Sequence, residues 1–186
     1  MRKFLTPLLL TLIAGLSVWL FQGQPDKGPA ITVQNQFSPD SFMDNFTTQK
    51  LDAQGQLQYQ LQATHMAHYA YDDHSELTQP QFIAYRPDGE NWTMLAETGR
   101  TQQDGDQQIM LNGKVTLQRR PSNTAPVNLE IRTRDVTVRP ADDYAETAQY
   151  TEIVLDKGTL ESTGLQVHFR EGQVLLLSQV RGVYAP

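Results

Sequence analysis

The chain has 186 residues, 39% of them hydrophobic and 19% charged, with a formal net charge of −6 and no cysteine. That acidic balance disfavours nucleic acid or polyphosphate as a partner held by general electrostatics, and the missing cysteines exclude disulfides and thiol chemistry. Most of the length suits one domain with a real core and falls short of two.

The first element is Phe4 to Phe21, eighteen residues without a charge behind Arg2 and Lys3. At ~1.5 Å rise per residue a helix of that length covers about 27 Å, enough for a hydrocarbon core of ~30 Å once the uncharged residues out to Gln24 are added. Pro7 falls in the first turn, where no intrahelical donor is lost. The basic pair stays on the cytoplasmic side and sends the rest of the chain across. A cleaved signal peptide is the competing reading. It fits less well, because the apolar run exceeds the usual ~7 to 15 residues and ends in bulky Trp19, Leu20 and Phe21. Residues 1–22 are therefore expected to be a transmembrane anchor with a short cytoplasmic start, 23–40 a Pro- and Gly-bearing linker, and 41–186 the exported domain. All 21 acidic and 13 of the 15 basic residues lie beyond the anchor, giving that part a net charge of −8.

From Phe42 onward the hydrophobic period is two. The clearest case is 56–63, where Leu57, Tyr59, Leu61 and Ala63 face one way and four glutamines the other, a strand with one wet and one dry face. Further short strands are expected at 81–85, 92–96, 109–111, 115–117, 127–133, 136–138, 153–155, 165–169 and 174–183. Turn chemistry separates them at 52–55, 87–89, 104–106, 112–113, 156–158 and 171–172. Asn112-Gly113 fits either a tight hairpin or a bulge that bends one strand. Short strands with glycine turns and no helix imply an all-β sandwich, jelly roll or barrel. The run 109–115 is echoed at 175–182, each an apolar stretch, a polar break and a valine.

The search for chemistry is mostly negative. No GxSxG, HExxH, GxxxxGK[ST] or GxGxxG motif occurs, so no catalytic residue and no cofactor are assigned. His65 and His68, three apart in a strand, face opposite sides and are not read as metal ligands. The acid pairs 72–73, 104/106 and 142–143 read as loop ends. Arg119, Arg120, Arg132, Arg134 and Arg139 are spaced closely enough to line a rim. Phe42, Phe46, Leu77, Phe82, Tyr85, Trp92, Leu95, Val115, Leu117, Ile131, Val138, Leu155, Val167, Leu176 and Tyr184 form the expected inward set, either as an ordinary core or around a groove for an apolar ligand.

The run 52–69 (DAQGQLQYQLQATHMAHY), Leu77-Thr78-Gln79-Pro80, Trp92 before Ala96, Leu111 to Val115 and Ser162 to Val167 together resemble the LptC family, in order and spacing, over nearly the whole chain. The resemblance implies a single-span inner-membrane protein whose periplasmic domain is a twisted antiparallel β-jellyroll of many short strands, with no enzymatic activity. Such a protein receives lipopolysaccharide from an ATP-driven inner-membrane Lpt transporter and passes it to the periplasmic bridge protein LptA. Phe46, Leu77 and Tyr184 match family positions that face the lipid, and Trp92 joins them as a candidate acyl contact. The final strand is expected to meet LptA by strand addition, through Gln173, Val174, Leu176, Val180 and Tyr184. A family glycine near the end of the jellyroll falls at Lys157, so that contact is not carried over. The alternatives are an anchored scaffold that binds only proteins and, more remotely, a carbohydrate-active enzyme.

Overall fold

The structure, a computed structural model, describes residues 38–86, 89–102, 108–119 and 129–184. The expected anchor 4–21, the linker up to residue 37, the turn 104–106, Arg120 and the start of the strand expected at 127 lie outside those residues. Among the described residues no helix is long and apolar enough to cross a membrane.

Ten strands form one antiparallel sheet: β1 Ser41–Leu51, β2 Leu57–Tyr69, β3 His74–Thr78, β4 Gln81–Tyr85, β5 Asn91–Gln102, β6 Gln108–Arg119, β7 Leu129–Arg139, β8 Tyr144–Leu155, β9 Gly158–His168 and β10 Gln173–Tyr184. β3 and β4 are one rung interrupted at Gln79 and Pro80, since both sit between β2 and β5 in an unbroken register. The ladder to β5 is carried across the break by Gln79 N–H to the Glu97 carbonyl (3.0 Å) and Ala96 N–H to the Pro80 carbonyl (3.1 Å). The result is a nine-rung meander in which each rung pairs with its chain neighbour. β1 and β10 are its two edges.

Except for the interrupted rung, the strands are 11 to 13 residues long, not the short segments expected. Each is creased near its middle. Asn45, Gln79, Gly113, Asp135, Gly164 and Gln179 take positive φ there, between 49° and 84°. Register slips by bulging at the same level in every pair from β5/β6 to β9/β10. Bulges bend and twist the strand that carries them, so aligned bulges crease the whole sheet. The inward phase changes there too: Leu129, Ile131 and Thr133 are buried below the crease of β7, and Val136 and Val138 above it. Backbone carbonyls freed from the ladder at this level are met by hydroxyls. Thr64 donates to the Thr78 carbonyl (3.0 Å), Thr133 to Tyr150 (3.0 Å), Thr147 to Arg134 (2.8 Å) and Ser178 to Thr163 (2.9 Å). Asn112-Gly113 thus resolves as a bulge within β6. At Gly113 φ is +80°, its N–H donates to Asp135 Oδ1 (2.9 Å), and an added Cβ would strike the Glu97 carboxylate.

The crease lays the half-strands above it across those below. Phe169, in the turn after β9, packs on Phe82 of β4 and Trp92 of β5, with ring centroids 6.4 and 6.1 Å away. Most of the expected inward set is buried, with Leu77, Phe82, Trp92, Val115, Leu117, Ile131, Val138 and Val167 at 2% exposure or less. Phe46, Tyr85, Leu155 and Leu176 are half-buried, and three members are exposed: Phe42 at 69%, Leu95 at 42% and Tyr184 at 71%. Leu95 lies between Met94 and Ala96, which take the inward phase of β5. Phe42 sits between Ser41 and Met43, and these two face in because the phase of β1 slips at Asn45. Tyr184 lies on an edge strand that no further rung covers.

Candidate functional site

A groove of about 760 Å³ opens between the two layers at the β1 edge. β1 supplies Ser41 and Met43 from above the crease and Phe46, Thr48 and Lys50 from below it. β2 adds Tyr59, Leu61 and Met66, and β3 adds Ser75 and Leu77. Thr101, Gln102, Gln108, Ile109 and Pro140 close the far wall. Phe46 pairs with Ala63 and Leu77 with Met66, so the two side chains flank β2 on opposite sides of its crease and form the apolar back of the groove. Leu77 is buried and Phe46 packs against the core from the open edge.

Three ionisable chains besides Tyr59 line the groove: Lys50 on the lower layer, His68 and Asp73 on the upper. His68 bonds Ser75 Oγ through Nδ1 (3.2 Å) and faces Asp73 through Nε2 (3.7 Å). Burial pushes the Tyr59 hydroxyl above its ordinary value and keeps it neutral. Just outside, His74 and Arg100 grip Asp72, the latter at 2.8 Å. Burial pushes the Asp72 carboxyl up, but the interaction with His74, the Arg100 guanidinium and a bond from Tyr71 together outweigh it and hold it below the usual carboxylate range. Among the described residues no cluster of three or more His, Cys, Asp and Glu side chains could hold a metal ion.

The four candidate lipid contacts are not gathered in one place. Phe46 and Leu77 share the groove. Trp92 is fully buried elsewhere, under Phe169 and with the Arg119 guanidinium 5.6 Å from its ring. Beside it Glu90, 1% exposed, binds Arg86 and lies 3.9 Å from Arg119. Tyr184 ends β10 opposite Gly158, where an added Cβ would collide with the Val183 carbonyl. Of the strand-addition candidates, Val174 and Leu176 turn inward against the core, while Gln173, Val180 and Tyr184 are exposed on an edge that, among the described residues, is hydrogen-bonded only to β9. Leu175, Leu177 and Val183, exposed on the same strand, are apolar positions the sequence reading passed over.

Among the described residues the arginines do not form a rim. Arg132 bonds Glu130 (2.8 Å) and Glu152 (3.3 Å), and Arg139 bonds Glu146 (2.8 Å). Ile131, Thr133 and Val138 hold the inward phase, which leaves Arg132 and Arg139 on the outer face. Met43, Lys50, Met66 and Ile109 are among the groove residues not singled out from sequence. The alternation at 56–63 marks Tyr59 and Leu61 as inward, but β1 carries no such signal because its phase breaks at Asn45.

Comparison with known proteins adds a family and a structural likeness. The family model LptC, described as "Lipopolysaccharide-assembly, LptC-related", matches residues 7–185. No curated protein matches the chain. Among solved structures, the chain is similar to LptH of Pseudomonas aeruginosa, described as the LptA-homologous periplasmic component of the lipopolysaccharide transport device. The TM-score is 0.47 and the identity 8%, with 80% of this chain and 96% of that one covered.

Proposed function

The chain belongs to the LptC family of lipopolysaccharide-assembly proteins, and we propose that its part in lipopolysaccharide transport is that of a carrier. Anchored in the inner membrane by Phe4 to Phe21, with residues 41–186 in the periplasm, it takes lipopolysaccharide from an ATP-driven transporter. It then passes the lipid to LptA through the open β10 edge, by strand addition along Gln173, Val174, Leu176, Val180 and Tyr184. It does no covalent chemistry, so the energy for directed transport comes from a partner.

The observation that supports this reading is the groove, with Phe46 and Leu77 converging on its back wall at an open sheet edge. Its volume lies in the ~300 to 1,000 Å³ range of ligand sites. At ~0.8 kcal/mol per buried CH₂, even part of one acyl chain contributes several kcal/mol. The domain's negative charge makes this apolar term the main source of affinity. In this scheme Phe46 and Leu77 touch acyl chains, Tyr184 touches them at the exit edge, and Trp92 does so only if Phe169 is displaced.

Ultraviolet crosslinking to lipopolysaccharide tests the reading, with a photoreactive residue at position 46 or 77 and, as control, at Gln60, whose neighbours Tyr59 and Leu61 take the inward phase of β2. Adducts at the first two and none at the control are expected. No adduct at either groove position, in a folded protein still bound to its partners, would replace the carrier with a scaffold.

A further inference from the structure

We infer that Lys50 is the headgroup contact of this groove and fixes which way round a phosphorylated amphiphile lies in it, an inference that rests on the groove being the lipid site. Lys50 stands directly across the β1/β2 ladder from Tyr59. Cross-strand partners share a face, and Tyr59 faces in, so Lys50 does as well. Its ammonium lies 5.5 Å from the Tyr59 ring centroid. Cation–π contact of this kind holds the head in place while leaving its far side open to an anion.

Among the described residues, Lys50 has no carboxylate within ion-pair distance, whereas on the opposite layer the groove carries the Asp73 carboxylate, 3.7 Å from His68 Nε2. The two lips therefore differ in sign. The lower carries an uncompensated cation and the upper a carboxylate, with the apolar wall of Phe46 and Leu77 between them. A phosphate is drawn to the lower lip and repelled from the upper one. Acyl chains from a head at Lys50 then run toward the crease. Arg132 and Arg139 of β7 cannot do this, being committed to Glu130, Glu146 and Glu152 on the other face of the sheet.

The test uses the full-length protein in phosphatidylcholine nanodiscs, titrated with bisphosphorylated lipid A and with its dephosphorylated form, with crosslinking at position 77 reporting occupancy. Lys50→Gln is expected to weaken binding of the phosphorylated lipid about fivefold, the size of one exposed ion pair, and to leave the dephosphorylated lipid unchanged. Lys50→Arg should restore the difference, and high salt should remove it. Equal effects on both lipids, or none on either, would overturn the role of Lys50 while the groove reading stands. Inorganic phosphate competing as well as the lipid would also overturn it. Failure of the unmodified protein to bind either lipid would overturn the groove reading and the inference with it.

Discussion

On the β1 side the two layers stand apart around Phe46 and Leu77, whereas farther along the meander Phe169 reaches across to Phe82 and Trp92 and fills the space between them. The backbone plan is the same in both places, a creased strand lying over its neighbour's other half. What differs is the filling. Three aromatic rings bridge the layers at the closed side, and the buried Glu90 with its two arginines tightens that end. On the open side the inward residues of β1 are Ser41, Met43, Phe46, Thr48 and Lys50, mostly too small or too polar to reach across. The sheet is thus a clamp whose opening is set by side-chain volume.

The largest effect is expected at the closed side. Phe169→Ala removes the bridging ring and should cost about 4 kcal/mol in denaturant unfolding. A loss below about 1 kcal/mol would mean that the layers hold together without it. Glu90→Gln leaves Arg86 and Arg119 facing a neutral group and should cost about 3 kcal/mol, again by denaturant unfolding. Phe46→Ala, on the open side, should cost only about 1 kcal/mol because its site is half open already, yet lower the yield of lipid adduct at position 77 severalfold. A stability loss as large as that of Phe169→Ala would erase the distinction between the two sides.

The smallest effect lies on the outer skin of the closed side. Burial first, then a bond to Glu146 (2.8 Å), push the Tyr144 hydroxyl up to about 12. A group with a raised folded value contributes stability that is complete below its unfolded value of 10.0 and is lost as pH climbs through about 12. Tyr59, Tyr69 and Tyr150 are raised as well and share in that loss. Tyr144→Phe should therefore flatten, without abolishing, the fall in melting temperature between pH 10 and 12. An unchanged slope would show that Tyr144 is equally easy to ionise in the unfolded chain.

Much of the fold was legible in the alternation of single strands, and the crease explains what was not. The segments expected at 109–111 and 115–117 are two halves of β6, separated by the bulge at Asn112-Gly113. The described part of 127–133, from Leu129, and 136–138 are likewise halves of β7, divided at Asp135. A period-two pattern ends wherever its phase slips by one residue, so a creased strand reads as two short ones. The echo between 109–115 and 175–182 is this same device seen twice, its polar breaks being the crossings of β6 and β10. The site was less legible. Its back wall, Phe46 and Leu77, belonged to the expected inward set but was marked as lipid-facing only by a family resemblance, and Lys50 could be placed on the inner face only once the register with Tyr59 was known. Trp92 and Tyr184 share the chemistry of a lipid contact with Phe46, but sequence carries no record of which side of the clamp a residue occupies.

The meander also orders events in time. Each rung hydrogen-bonds to the one before it, so a chain emerging from its N-terminus can add strands as they appear and never leaves more than the newest one waiting for a partner. The exception is Phe169. It has to meet Phe82 and Trp92 across more than seventy residues, after β9 has joined the sheet. The clamp therefore shuts near the end of folding, and until then its whole inner face, the later groove included, lies open on one side.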